Sequence, residues 1–273
     1  MLSWGVSRSV QSHESPGESV RVRAGPCPSV FLHVPAMMRF SQLECLGIHA
    51  AAMTMRADGD MSFKPPADTA AIASNRAIAC RALGIDAADL VCAQQVHGRV
   101  VRTVTAADMG RGALDYAEAF EGTDGFVTTE RGVPVAVGVA DCVPLFLVAP
   151  HGTGGALLHA GREGTRQNIA EAGVQALCKA AGVRPGELTA LIGPSAGPSY
   201  EVGPDIATDW RAAGLVADDS CLDLWRSNAA QLEAAGVSTE RIHINGECTM
   251  TSGRFFSYRA GDAAARNMAV LVL

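Results

Sequence analysis

No apolar run in this chain approaches the roughly 18–20 residues that cross a bilayer as a helix, so a membrane-spanning role is not expected. A surplus of positive charge is also missing. Lys and Arg total 22 against 28 Asp and Glu, a net charge of −6, which leaves no global basic field for nucleic acid. Lysine itself is scarce, confined to Lys64 and Lys179. No two of the eight cysteines form a CxxC pair, which argues against a zinc ribbon or a thioredoxin-type motif. Charged residues are only 18% of the chain and hydrophobic residues 48%, a balance that excludes disorder for most of it. A chain of 273 residues buries a large core without crosslinks. The thiols therefore read as mostly buried small hydrophobes in a reducing, cytoplasmic compartment.

Two regions differ in character. Residues 1–40 mix Ser, Pro, Gly and Arg without helical or strand period and without the continuous apolar segment of a secretory signal. They are expected to be a disordered tail, or an upstream start to a protein that begins near Met37 or Met38. Residues 41–273 show no internal repeat, charge run or Gly/Pro linker and read as one domain. Helical spacing is expected over 68–83, 165–181, 205–213 and 223–235, with glycine following the first two and the last two. Strands are expected over 45–54, 90–97, 100–104, 125–129, 133–140, 156–159, 188–192, 241–245 and 268–273. The two kinds of segment do not alternate strictly. The expected class is α+β, a single layered domain with mixed sheets flanked by helices.

Three ligand-capable residues share one context. His97 in Gln-Val-His-Gly, Cys142 in Ala-Asp-Cys-Val-Pro and His159 in Leu-Leu-His-Ala-Gly each fall where a strand gives way to a turn. Strand ends point polar groups into clefts, and two imidazoles with a thiolate suit zinc, with the fourth position open for catalysis. Taken singly, each residue is more often a hydrogen-bonded histidine or a core cysteine. Separations of 45 residues (97 to 142) and 17 (142 to 159) do not force convergence. A Gly-rich turn over 192–203 can cradle an anion or simply join a strand to a helix. The run Phe255-Phe256-Ser257-Tyr258-Arg259 suits stacking on a ring and clamping an anion, and equally a half-buried strand.

Taken together these pieces resemble the laccase-domain family, also called multicopper polyphenol oxidases. The resemblance rests on Gln95-Val96-His97-Gly98, Thr123-Asp124-Gly125, Ala140-Asp141-Cys142-Val143-Pro144, His159-Ala160-Gly161, Ile192-Gly193-Pro194, Tyr200-Glu201-Val202-Gly203, Asp223-Leu224-Trp225, Gln231-Leu232, Cys248-Thr249 and Phe256-Ser257-Tyr258-Arg259, in order. Thr54-Met55-Arg56 and Asn75-Arg76 fit more loosely. The resemblance covers roughly 45–273. It implies a layered fold shared with cysteine-dependent toxin domains and a zinc on His97, Cys142 and His159. It also implies phosphorolysis of adenosine, inosine, guanosine or methylthioadenosine, with deamination of adenosine. Purine nucleosides and phosphate are then the partners, and Arg56 and Arg259 are candidates to contact phosphate. Asp141 is a candidate to orient a ligand or relay a proton. Copper is less favoured than zinc, because a multicopper oxidase needs more histidines than the seven here supply.

One departure bears on activity. Where the family reads His-Ala-Gly-Trp-Arg-Gly, this chain has His159-Ala160-Gly161-Arg162-Glu163-Gly164, which places a carboxylate at a basic position. It supports one alternative, a nucleoside-binding or regulatory member without turnover. A second, a hydrolase with Cys142 as nucleophile beside His97 or His159, acting as an amidase or deamidase, rests on the fold shared with cysteine-dependent toxin domains. One branch of the family is named peptidoglycan editing factor, so cell-wall precursor editing is also open.

Overall fold

Apolar residues run almost unbroken through the longer strands, and because successive side chains point to opposite sides, each of these strands has two faces to bury. The computed structural model describes residues 36–273. In chain order the main elements are β1 (Met38–Arg39), α1 (Ser41–Glu44), β2 (Ala50–Met53), α2 (Thr69–Ala82), β3 (Ala93–Gln94), β4 (Val101–Thr103), β5 (Phe120–Glu121), β6 (Gly125–Thr128), β7 (Val135–Val139), β8 (Val143–Val148), β9 (Gly155–Ala160), α3 (Arg162–Arg166), α4 (Ile169–Ala181), β10 (Thr189–Ile192), β11 (Tyr200–Glu201), α5 (Pro204–Ala212), β12 (Ala217–Asp218), β13 (Cys221–Leu222), α6 (Leu224–Ala234), β14 (Ile242–Ile244), α7 (Thr249–Ser252) and β15 (Asn267–Val272).

Two larger sheets dominate. One has the order β1-β2-β15-β7, antiparallel throughout. The other has the order β14-β10-β8-β9-β6-β4, antiparallel in its centre and parallel at both edges. Their inner faces meet. Val135, Val137 and Val139 of β7 and Ala269 and Leu271 of β15 pack with Phe146, Val148 and Leu157 from β8 and β9. The alternate residues turn outward. Ala136, Met268, Val270 and Val272 bury against Ala79, Cys80 and Leu83 at the C-terminal end of α2. Val143, Leu145, Leu147, Ala156 and Leu158 bury against Ile169, Val174 and Leu177 of α4 and Leu224 and Leu232 of α6. The result is four layers: helix, sheet, sheet, helices. This is the α+β architecture of mixed sheets flanked by helices. No helix among the described residues is long and apolar enough to cross a membrane.

Local chemistry sets the helix limits. Asp68 caps α2 by accepting the Ala71 N–H at 3.1 Å, and Asp223 caps α6 by accepting that of Arg226 at 2.9 Å. The helix expected over 165–181 is instead two. Asn168 adopts a left-handed conformation (φ 62°) between α3 and α4, and its side chain caps the Glu171 N–H. The strand expected to end at Cys142 also differs. β7 stops at Val139, and Cys142 immediately precedes β8, which runs through Pro144. Of the segment 1–40, residues up to 35 lie outside the described set. Residues Met38–Arg39 pair with β2, and Phe40 is buried with its ring 5.2 Å from Phe146.

Candidate metal centre and its cavity

The chain crosses from one sheet to the other through Ala140-Asp141-Cys142, between β7 and β8. Asp141 sits at φ 79° with its side chain buried. Its Oδ1 accepts the Thr249 hydroxyl at 2.6 Å, and its Oδ2 accepts the Arg259 N–H at 2.8 Å. Its carbonyl accepts the Ala196 N–H at 2.9 Å. The start of α7 and two loops are thereby tied to the residue next to Cys142. The His97 loop is held as firmly. The Gln95 amide bonds both backbone groups of Gly138, at 2.9 and 2.7 Å. Asp124, fully buried at the head of β6, accepts the N–H groups of His97 at 2.9 Å, Gly98 at 2.7 Å and Val96 at 3.3 Å. His159 comes from β9, where alternation sends it to the face opposite Leu158.

These three elements bring His97, Cys142 and His159 together, with one ligand atom from each lying within 4.8 Å of the others. The two imidazoles meet edge to face, centroids 4.7 Å apart. Asp124 supports both. Besides the His97 loop it takes a hydrogen bond from His159 Nδ1 at 2.9 Å, which leaves Nε2 free to ligate. Backbone must also come close: a Cβ on Gly161 would lie 2.8 Å from Cys142 Sγ and 2.9 Å from the His97 ring. Burial pushes the Cys142 thiol up, but His159 and His97 outweigh it and bring it to about 6. Burial lowers the His159 imidazole, yet Cys142 and Asp124 raise it to about 9. Burial also raises Asp124, and the hydrogen bonds from His159 and the loop amides more than reverse this. These surroundings favour the thiolate of Cys142 and the protonated form of His159, whose Nε2 must give up its proton before it ligates a metal.

Two nitrogens and a thiolate sulfur converging at this range fit a transition-metal ion, with a coordination position left over. Among the described residues no other group of three His, Cys, Asp or Glu converges in this way. Asp124 is the site residue that sequence reasoning missed. It stood in the ordered motif Thr123-Asp124-Gly125 without a role. Its only signal was a carboxylate placed just before a buried apolar strand.

The centre lies in the wall of a cavity of about 740 Å³, which Asp141 and Arg259 also line. The Arg259 guanidinium stacks over the Tyr200 ring, 4.5 Å from its centroid. Arg56 is placed elsewhere. It is not among the cavity-lining residues, and it clamps Asp262 with bonds of 3.0 and 2.6 Å, donates to the Phe255 carbonyl and lies over Phe256. Glu163 does line the cavity, but its carboxylate accepts from Arg166 Nε at 2.9 Å and from Gln167 at 2.9 Å. Those bonds hold it down to about 2.

The architecture has counterparts in known proteins. Residues 51–273 match the family described as multi-copper polyphenol oxidoreductase laccase, and the chain belongs to that family. Its relatives include a Geobacillus stearothermophilus protein named purine nucleoside phosphorylase YlmD, 35% identical over 67% of this chain and 71% of the relative. A Deinococcus radiodurans purine nucleoside phosphorylase is 38% identical over 70% of this chain and 73% of its own. Among solved structures, the crystal structure of YlmD from Geobacillus stearothermophilus superposes with a TM-score of 0.76 and 31% identity, covering 82% of this chain and 91% of that one. A Bacillus licheniformis hypothetical protein YfiH gives a TM-score of 0.79 at 25% identity, over 89% and 98%.

Proposed function

We propose that this protein is a zinc-dependent purine nucleoside phosphorylase acting on adenosine, inosine, guanosine or methylthioadenosine, and that it also deaminates adenosine. The observation that carries the reading is the convergence of His97, Cys142 and His159 in the wall of a ligand-sized cavity. Relatives at 35% and 38% identity bear the name purine nucleoside phosphorylase. His97, Cys142 and His159 would hold the zinc, which when bound would supply Lewis-acid chemistry.

In phosphorolysis a phosphate oxygen bonds to the ribose C1′ as the bond from C1′ to the base nitrogen breaks. The base leaves with a proton, and ribose 1-phosphate remains. The sugar gains cationic character on the way, so the phosphate must be held in line. Arg259, braced on Tyr200 with its backbone fixed by Asp141, is the side chain we assign to that anion. Arg56 serves by holding the Phe255–Asp262 loop, and Asp141 by holding the Cys142 joint. In deamination, water replaces the amino group at the purine C6 and ammonia departs; zinc sites of this donor type are used for that chemistry elsewhere.

The test pairs metal quantification with incubation in adenosine or inosine, with and without phosphate, following free base and ammonia. About one zinc per chain and phosphate-dependent base release are expected, both lost in His97→Ala and Cys142→Ala. A zinc-loaded protein with no turnover of any purine nucleoside overturns the enzyme reading and leaves a nucleoside-binding role.

A second reading draws on a specific geometry: Asp124, His159 and Cys142 form a carboxylate–imidazole–thiol relay. A Cys142 nucleophile acting on an amide would be silenced by bound metal and released by a chelator. The phosphorylase reading predicts the reverse response.

A further inference from the structure

The cavity carries far more positive charge than the metal ligands require. Lys64, Arg76, Arg162, Arg259 and Arg266 line it, against the carboxylates of Asp141 and Glu163. Both carboxylates are already engaged, Asp141 by Thr249 and the Arg259 N–H, and Glu163 by Arg166. None of the five cations is ion-paired among the described residues. This happens in a chain whose net charge is −6.

Three of the five come from segments joined at Met61: Arg76 through its side chain, Arg266 through its backbone carbonyl, with its guanidinium donating to the Ala263 and Ala265 carbonyls at 3.2 and 2.8 Å, and Lys64 through the chain that follows. Arg76, 7% exposed, donates through Nε and Nη2 to the Met61 carbonyl at 2.9 and 2.7 Å, and through Nη1 to the Ala113 carbonyl at 2.8 Å. Its guanidinium lies 4.4 Å from the Phe63 ring centroid. Carbonyls and a ring satisfy its hydrogen bonds but leave its full charge uncompensated in a buried wall. The Met61 N–H donates to the Arg266 carbonyl at 3.1 Å. Asp60 Oδ1 accepts the N–H groups of Ser62 at 2.9 Å and Arg266 at 2.8 Å. Lys64 follows three residues after Met61, and no hydrogen bond or ion pair engages its ammonium among the described residues.

This cluster is joined to the metal centre by a short run of chain. Arg76 reaches Cys92 Sγ at 3.6 Å, and the chain then runs through β3 to His97. Five residues of extended chain span at most about 17 Å, so a single ligand can touch both ends. Arg162 and Arg259, by contrast, sit at the metal end: Arg162 follows Gly161, which abuts Cys142, and the Arg259 N–H is bonded to Asp141.

We infer that Lys64, Arg76 and Arg266 form a second anion subsite in the cavity, which binds a phosphate group. Lys64 and Arg266 contact the anion, and Arg76 supplies a fixed buried charge behind them. The group is either free inorganic phosphate or a phosphate monoester carried by the nucleoside itself. The inference rests on the nucleoside reading for the ester source only.

Calorimetry on the metal-loaded full chain tests it, with three probes: inorganic phosphate, inosine and inosine 5′-monophosphate. The variants are Lys64→Ala, Arg266→Ala and the double substitution; Arg76 stays intact because its bonds to Met61 and Ala113 hold the wall. Each single change should weaken binding of the phosphate-bearing probe by about tenfold or more, with the inosine affinity moving less than about twofold. Free phosphate as occupant predicts that phosphate binding falls in the variants and that the monophosphate binds wild type no tighter than inosine. An ester occupant predicts a tighter monophosphate in wild type, an advantage the double variant erases. Wild-type affinity of the double variant for both phosphate-bearing probes overturns the subsite, as does failure of wild type to bind either. Loss of phosphate binding in the double variant, in a protein that shows no phosphate-dependent base release, keeps the subsite and removes the phosphorylase reading.

Discussion

Asp124→Asn probes the support of the metal centre with one nearly isosteric change. The carboxylate is fully buried and accepts four hydrogen bonds: from His159 Nδ1 and the His97 N–H on Oδ1, and from the Gly98 and Val96 N–H groups on Oδ2. An amide offers one oxygen and one NH2. Whichever way it turns, a donor faces two donors, and the negative charge opposite His159 is gone. Hydrogen bonds to a charged group are worth about 1.5–3 kcal/mol each, and leaving buried donors unmet adds to that. Geometry relaxes in part, so a loss of about 2–5 kcal/mol in the metal-free protein is expected. The imidazole also loses the partner that fixes its tautomer, which typically costs about 10–100-fold in metal affinity. Competition with a chromophoric chelator measures the affinity, and denaturant unfolding of the metal-free protein measures the stability. A variant that binds metal within about twofold of wild type refutes the supporting role of Asp124, even if its stability falls.

Gly161→Ala should lower metal affinity at least about tenfold with little change in metal-free stability, because the added Cβ meets Cys142 Sγ and the His97 ring at 2.8 and 2.9 Å in an otherwise ordinary backbone; unchanged chelator competition would sink this. Arg56→Ala should cost about 1–2 kcal/mol in chemical denaturation by freeing Asp262 and the Phe255 carbonyl. A tenfold rise in phosphate KM with stability intact would instead return Arg56 to the ligand. The Glu163 pKa is depressed to about 2, so its pairing with Arg166 stabilises above the unfolded value of about 4.3 and is lost as pH falls from there through about 2. The melting difference between wild type and Glu163→Gln should accordingly shrink on acidification. Its size stays below about 1 kcal/mol because the carboxylate is 41% exposed. A difference that grows toward low pH contradicts the assignment.

Elements with strong local signals were legible before the structure. The helix expected over 68–83 has its cap at Asp68 and its end at Leu83, next to Gly84. The run 133–140 contains β7, buried on both faces, as a continuous apolar segment predicts. The strand after Cys142 was hidden by Pro144, which normally argues against a central strand. Here it is the second residue of β8, paired opposite His159, and its carbonyl still accepts the Gly193 N–H at 3.0 Å. The break at Asn168 was hidden because its neighbours keep helical spacing and only a side-chain cap separates the two helices. The convergence of His97, Cys142 and His159 was legible only as an ordered motif set, since no spacing rule brings positions 97, 142 and 159 together. What no local pattern carried was the buried carboxylate of Asp124 and the convergence of Arg76 and Arg266 on Met61, contacts between segments far apart in sequence.

The passage from β7 to β8 at Cys142 has a consequence for the life of the protein as well as its chemistry. His159 and Cys142 border one sheet and the loop of His97 is buttonholed to the other through Gln95 and Gly138. An ion shared by these residues is a rivet through two layers, and any shear between the layers must first break it. Binding and folding are then one equilibrium, with the folded form gaining RT ln(1 + [M]/Kd) from the free metal concentration. Scarcity of the metal would thin the population of intact molecules along with the population of loaded ones. The abundance of the protein would become a readout of metal supply.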